Sequence, residues 1–307
     1  MLPVDVSVVV PVFNEEQNVP LLIESVREAL AESCAWELLL VDDGSRDHTV
    51  DRATTAAADD ERVRVVCLAR NYGQTQAMQA GFDHARGDVV VTMDGDLQND
   101  PRDIPRLIEA LGRGYDLVVG YRVNRHDALV TRKIPSWIAN RIISRLTGVH
   151  IRDTGCSLKA YRRELLDGLV LYSDMHRFLP AVAAALSDAR IAEIPVNHSP
   201  RRFGTSKYGL GRVATVAVDL LTIKMISTFR DRPLTVFGIA ALIVSTLGLA
   251  VIAYSVVAHL SAGPTATYAW VYPSAGLLAL TMAFTLLMLG LVAERALQAS
   301  MLPESNA

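Results

Sequence analysis

From Pro233 to Ala293 the chain holds no Asp, Glu, Lys or Arg. Two apolar stretches fit there, about Leu234–Leu260 and about Val271–Ala293. Each exceeds the roughly 20 residues that a helix needs to cross a hydrocarbon core. Between them Ser261, Gly263, Pro264 and Thr265 form a turn signal. Two membrane-spanning helices are expected, in preference to a buried soluble hairpin. Tyr254, Tyr268, Trp270 and Tyr272 fall where interfacial aromatics are found. Arg230 and Arg232 precede the first span, Glu294 and Arg295 follow the second, and the connecting loop carries neither Lys nor Arg. The positive-inside rule then puts the N-terminal part and the C-terminus in the cytoplasm.

Those spans leave more than two hundred residues for something else. Over all 307 residues half are hydrophobic, 21% are charged and the formal net charge is −3, with a mean hydropathy of +0.25. The excess apolarity is thus local, and bulk charge gives no signal for nucleic acid. Cys34, Cys67 and Cys156 match no zinc or redox spacing, so reduced thiols are expected. No secretory leader is expected here: Val6–Val10 is too brief for one and lacks a basic lead, and reads as a first strand.

From Val6 to about Gly120 short apolar runs alternate with helical patterns. Strands are expected at Val6–Val12, Glu37–Val41, Arg64–Leu68, Asp88–Met93 and Asp116–Gly120. Helices are expected from Asn18 to Glu32, through Ala53, over Gln74–Ala85 and over Pro105–Leu111. That order implies an α/β fold with a mostly parallel sheet flanked by helices. The segment Arg122–Gly148 differs. It is basic, and Ile138, Ile142 and Leu146 recur every four residues, as in a helix lying in a membrane surface or docked on its own domain. A second such helix runs from Leu210 to about Phe229. The expected domains are a cytoplasmic unit over 1–209, a juxtamembrane helix over 210–232, two spans over 233–297 and a short tail over 298–307.

Chemistry concentrates at the expected strand ends. Thr92-Met93-Asp94-Gly95-Asp96-Leu97-Gln98 follows an apolar run. In an extended chain Asp94 and Asp96 point to one side, and Gln98 continues the row if the chain stays extended. Two carboxylates and an amide oxygen are hard ligands suited to Mg2+ or Mn2+ beside a diphosphate. A plain surface turn is the other reading of an isolated D-x-D. Its place decides for the metal, because α/β sheets gather ligands at the carboxyl ends of their strands. Pro11-Val12-Phe13-Asn14-Glu15-Glu16-Gln17-Asn18 opens a helix whose N-terminus favours anions, with Asn18 also placed to cap it. Asp42-Asp43-Gly44-Ser45 can accept from a nucleobase N–H or a ribose hydroxyl, or form an Asx-turn.

In this order P-x-x-N-E-x-x-N, V-D-D-G-S, N-Y-G-Q with A-G-F, and D-G-D-L-Q-N resemble family 2 glycosyltransferases of the GT-A fold, in particular those acting on polyprenyl phosphates. Arg70-Asn71-Tyr72-Gly73-Gln74, Tyr161-Arg162-Arg163 and Phe203-Gly204-x-Ser206-Lys207-Tyr208 resemble the undecaprenyl-phosphate 4-deoxy-4-formamido-L-arabinose transferases. The resemblance covers essentially the whole chain. It is specific for the family and poorly specific for the sugar.

The resemblance implies an inverting transfer from a nucleotide-diphosphate sugar, with UDP as the expected nucleotide, onto undecaprenyl phosphate at the cytoplasmic face of the inner membrane. It implies that Pro11, Phe13, Glu15 and Asp42 line the nucleoside pocket. Asp94 lies near ribose and diphosphate, and Asp96 and Gln98 bind Mg2+ or Mn2+, with Asp94 close to the ion. Arg122, Arg132 and Ser136 hold the acceptor phosphate. Arg202, Ser206 and Lys207 belong to a loop closing over donor and acceptor. A homo-oligomer, a tetramer, is implied by family likeness alone. Gly95 departs from relatives that carry Ala.

Residue chemistry agrees with this. A phosphomonoester has a second pKa of about 6, so the acceptor is already anionic near neutrality and needs cations more than a base. Arginine forks match phosphate oxygens, although basic clusters here also suit a solvated face or lipid headgroups. Asp174 is a less favoured base or sugar contact. Gly209-Leu210-Gly211-Arg212-Val213-Ala214 lacks a strand before it and is no dinucleotide fingerprint. Cys156 has no neighbouring base to make it a nucleophile. Two rivals remain. A processive polysaccharide synthase would carry Q-x-x-R-W and more spans, and neither is present. A non-catalytic nucleotide-sugar-binding partner of a lipid-linked sugar flippase would need no acceptor site.

Overall fold

A computed structural model describes residues 4–31, 33–123, 151–169, 171, 175–180, 183, 189–200, 203, 233–262 and 266–301. The chain divides into two units, Met1–Lys224 and Met225–Ala307.

The first unit is built on a seven-stranded sheet. Its strands are β1 (Val6–Val12), β2 (Trp36–Asp42), β3 (Val63–Cys67), β4 (Val89–Thr92), β5 (Leu117–Arg122), β6 (Lys159–Arg162) and β7 (Ile191–Val196). Their order is β3-β2-β1-β4-β6-β5-β7. All neighbours run parallel except β6, which is antiparallel to both β4 and β5. The helices are α1 (Val19–Leu30), α2 (Thr49–Ala57), α3 (Gln74–His84) and α4 (Ile104–Gly112). The expected strands and helices of the first 120 residues are all present, with ends shifted by a few residues. β6 and β7 were not foreseen; β6 alone runs antiparallel, so the sheet is mostly parallel, as expected.

Side-chain alternation sorts the strands between two cores. Val8, Val10 and Val12 of β1, Leu38 and Leu40 of β2, and Val91 and Met93 face one way, onto α1 and α4. Val9, Leu39, Val41 and Val90 face the other way, onto Ala77, Met78 and Phe82 of α3. α1 therefore covers one face and α3 the other. From β1 the chain first moves outward to β2 and β3, then crosses back to β4 on the other side of β1. This makes the gap between β1 and β4 the topological switch point, where doubly wound sheets bind ligands.

At the opposite edge of the sheet Glu37 is 1% exposed, yet accepts five bonds. Ser7 Oγ donates to it at 2.8 Å, Arg86 reaches it through Nη2 at 2.7 Å, through Nε at 2.9 Å and through its backbone N–H at 2.8 Å, and Arg64 reaches it at 3.0 Å. Burial raises the Glu37 pKa, but these donors together outweigh it and hold the carboxyl below its usual range.

The second unit is an antiparallel hairpin of α5 (Pro233–Ala262) and α6 (Ala266–Met301). Pro233–Ser261 and Val271–Ala296 are long and apolar enough to cross a membrane, and little of either is buried within the chain. Small residues let the backbones meet: a Cβ on Gly276 would lie 2.4 Å from Ile252 Cγ1, and one on Gly290 2.8 Å from Phe237 Cβ. At the open end Leu234 N donates to Glu294 Oε2 at 3.3 Å, so a carboxylate in the last turns of α6 serves an orphan donor at the start of α5. Tyr254 and Tyr272 meet edge to face, with centroids 5.9 Å apart.

Candidate functional site

Four loops leave the carboxyl edge after β1, β2, β3 and β4, and each is latched to the next. Asn14, at φ 53°, sits in the left-handed region that Asn tolerates. Its N–H donates to Ser45 Oγ at 2.8 Å, and its Oδ1 accepts from Arg46 N at 2.8 Å. Glu15 N donates to Thr49 Oγ1 at 2.8 Å, and Glu16 Oε2 accepts from His48 N at 3.1 Å. The first two loops thus close as one surface.

Asp43 joins the second loop to the third. Its two oxygens accept from Tyr72 N at 2.7 Å and Gly73 N at 2.9 Å. Burial raises the Asp43 pKa, Asp42 adds to the rise, and the two N–H groups oppose it. Gly44, at φ 71°, permits this approach, because a Cβ there would stand 2.5 Å from the Arg70 carbonyl carbon. The third loop then joins the fourth: Gln74 Nε2, at the start of α3, donates to Asp94 Oδ1 at 2.8 Å.

Within this frame Asp42 is 3% exposed. Its Oδ2 accepts from Ser45 N at 2.9 Å, and its buried Oδ1 has no hydrogen-bond partner. A buried carboxylate oxygen without a donor is costly unless a ligand supplies one. The Asp42 side chain bonds the backbone three residues on rather than two, so the loop is not an Asx-turn, and one carboxylate oxygen is left over. Asn18 holds the cap position of α1 but does not cap it through its side chain. That amide turns back to donate to Glu15 Oε2. Pro11, within β1, and Phe13 and Glu15, on the loop that follows it, are half-buried.

β4 ends at Thr92, so Asp94 and Asp96 lie beyond the strand rather than in it. Asp94 prolongs the row of Val90 and Thr92 toward α3, which is why Gln74 meets it. Gly95 is packed so that a Cβ would be 2.8 Å from Val12 Cγ1, a local reason for glycine at this place. Leu97, at φ 59°, turns the chain out of the extended form, and Gln98 N bonds back to Asp96 Oδ1 at 3.2 Å. Gln98 therefore does not continue the row by strand alternation. Its amide instead donates to Ser199 O at 3.3 Å, and Ser199 N donates to Gln98 O at 2.8 Å. The stretch that leads into residues 201–207 is thereby tied to the D-x-D turn.

Burial raises the Asp94 pKa and the Asp96 charge raises it further, while bonds from Ser157 and Gln74 and the charge of Lys159 oppose the rise. Two crowded carboxylates call for a cation. Among the described residues no three His, Cys, Asp or Glu side chains converge on one point. Two carboxylates are the number that an ion of the Mg2+ class takes from a protein, with waters or substrate phosphates for the rest.

Arg122 ends β5 on the same edge of the sheet. Its Nε and Nη2 grip Asp153 at 2.7 and 2.8 Å, a bidentate pair with both partners largely out of water. No local pattern marks this partner, 31 residues away. Burial pushes the Cys156 thiol up to about 11, in keeping with a structural cysteine. Arg132, Ser136, Asp174, Arg202, Ser206, Lys207 and both expected amphipathic helices lie outside the described residues.

Three comparisons bear on this arrangement. The model of glycosyl transferase family 2 matches residues 7–170. The chain is 47% identical over 254 residues to the dodecaprenyl-phosphate galacturonate synthase of Rhizobium johnstonii, covering 81% of this chain and 75% of that protein. It is 42% identical over 261 residues to the undecaprenyl-phosphate 4-deoxy-4-formamido-L-arabinose transferase of Klebsiella pneumoniae, covering 84% and 78%. Among solved structures, glucosyl-3-phosphoglycerate synthase of Mycobacterium tuberculosis in complex with Mn2+, UDP and phosphoglyceric acid superposes with a TM-score of 0.57 at 22% identity, over 73% of this chain and 78% of that one. That likeness shows the shared fold. With the family model spanning more than half of the sequence and relatives above 40% identity, the chain belongs to glycosyl transferase family 2 and is a glycosyltransferase.

Proposed function

We propose that this enzyme moves a sugar from a nucleoside-diphosphate donor, with UDP as the expected nucleotide, onto a polyprenyl phosphate at the cytoplasmic face of the inner membrane. The observation that carries the donor half is the chain of latched loops at the β1–β4 switch point. It sets the unpartnered Asp42 oxygen and the Asp94–Asp96 pair along one edge of the sheet. The acceptor half rests on relatives named for dodecaprenyl and undecaprenyl phosphates, and on two helices able to span a membrane. Neighbouring structures described with Mn2+ or Mg2+ and UDP support the donor and the ion.

Asp42 accepts a donor hydrogen from the nucleoside, with Pro11, Phe13 and Glu15 lining its pocket. Asp94, Asp96 and Gln98 hold the Mg2+ or Mn2+. The ion supplies Lewis-acid stabilisation of the departing diphosphate. The acceptor phosphate, ionised near neutrality, attacks the anomeric carbon in line and inverts it, so no general base is required. Arg122, Arg132 and Ser136 orient that phosphate, the first from a guanidinium already aligned by Asp153. Arg202 and Lys207 follow, in sequence, the Ser199 that bonds Gln98, and belong to the loop that closes over donor and acceptor. A homo-oligomer formed through the hairpins completes the reading.

The test is transfer by the full chain in membranes, with radiolabelled undecaprenyl phosphate and a panel of nucleotide sugars, read by chromatography. A lipid-linked sugar from one donor is the expected result. Donor binding without turnover on any polyprenyl phosphate overturns the proposal.

A further inference from the structure

Lys159 has no part in the chemistry above, yet it is 3% exposed. It lies on β6, paired with Thr92 of β4 on one side and Val119 of β5 on the other. Its neighbours Leu158 and Ala160 face the α1 core, so Lys159 points to the α3 side, as Thr92 and Asp94 do. Its Nζ donates to the His176 carbonyl at 3.4 Å. The His176 ring is 2.7 Å from Thr75 Oγ1, and Thr75 follows the Gln74 that holds Asp94. Ser157, two residues before Lys159, bonds Asp94 and accepts at its carbonyl from Thr92 Oγ1 at 2.8 Å. The ammonium thus lies on the face of the β4–β6 pair that carries Asp94, beside the Ser157 that bonds that carboxylate, and its charge acts on it. A buried ammonium costs several kcal/mol unless anions repay it.

We infer that Lys159 is a positioning residue, a resident counter-cation behind the Asp94–Asp96 pair that holds the two carboxylates together before donor and metal arrive. The inference rests on the metal site proposed above. Because Lys159 already offsets part of the carboxylate charge, a bare divalent ion binds weakly, and tight binding waits for the diphosphate to bring two further charges. Metal and donor are thereby coupled without contact between Lys159 and the reacting atoms.

The test is Mn2+ binding by electron paramagnetic resonance and thermal melting of the full chain in detergent, with MnCl2, UDP or both. Lys159→Met is expected to melt lower than wild type in EDTA. It should bind Mn2+ alone more tightly by a factor of about 3–10 and UDP without metal more weakly, and Mn2+ should raise its melting temperature more than that of wild type. Lys159→Arg keeps the charge and stays near wild type. An equal loss of melting temperature with and without Mn2+, at unchanged Mn2+ affinity, means mere packing and overturns the inference. If Lys159→Met does not accumulate, Asp94→Asn/Lys159→Met should, because one carboxylate fewer needs no counter-charge. Failure of the double variant also overturns it. A wild type that ignores Mn2+ even with UDP overturns the metal site itself, a separate result.

Discussion

Gln74 Nε2 donates to Asp94 Oδ1 at 2.8 Å, so the first residue of α3 fixes the carboxylate that follows β4. The two residues come from opposite sides of the β3–β4 crossover. Asp43, which grips Tyr72 and Gly73 just before Gln74, extends the link to β2. Gln74→Ala removes the donor while Asp94 stays half-buried. Loss of such a bond costs about 1–3 kcal/mol, so the melting temperature is expected to fall by a few degrees and kcat/KM for the donor by about tenfold. Gln74→Glu, which adds a like charge, should fall further. Steady-state kinetics across the two variants checks the order.

Asp42 offers Oδ1 to the ligand and Oδ2 to Ser45 N. Asp42→Asn retains the shape and loses the charge. Bonds to charged groups contribute about 1.5–3 kcal/mol, so UDP affinity measured by calorimetry should drop tenfold or more.

Asp60 gives a pH-dependent prediction remote from the site. Its bond to Arg62 lowers its pKa to about 2, with burial opposing and Arg27 adding to the effect. A lowered carboxyl pKa stabilises the fold above the unfolded value of about 3.9, and that contribution fades as pH falls through the folded value. Asp60→Asn is expected to destabilise by about 1 kcal/mol or less at pH 7, since both arginines are partly exposed. The gap to wild type should close between about pH 4 and pH 2 in denaturant titrations.

Gly276 sets how closely α5 and α6 meet. Gly276→Val places a Cβ within van der Waals overlap of Ile252 Cγ1 and of the Gly248 carbonyl. The hairpin must spread, and the detergent-solubilised protein is expected to melt lower, whereas Gly238→Val, with nothing within 4 Å of its Cβ, should not.

Much of the fold was legible because its cues are local. Apolar runs such as Val6–Val10 and the helical periods between them needed no tertiary information, and neither did the uncharged span from Pro233 to Ala293. β6 was not legible: Lys159-Ala160-Tyr161-Arg162 has no apolar run, and its lysine is buried only because β4 and β5 flank it. β7 contains Glu193 and Pro195, which weaken a strand pattern. At the site, Asp42, Asp94 and Asp96 stand out as acidic strand ends. What holds them is spread over Gln74, Ser157 and the backbone at Tyr72, positions whose proximity only the crossovers create. The turn at Leu97 likewise gives no sequence signal, since leucine is not a residue that favours positive φ.

The measurement that bears most directly on the central claim is sugar transfer to undecaprenyl phosphate by wild type and Asp96→Ala, each with Mn2+ and with excess chelator. Wild type is expected to transfer with Mn2+ and to lose transfer in chelator, and Asp96→Ala is expected not to transfer although it melts like wild type. Full activity of Asp96→Ala, or of wild type in chelator, would contradict it.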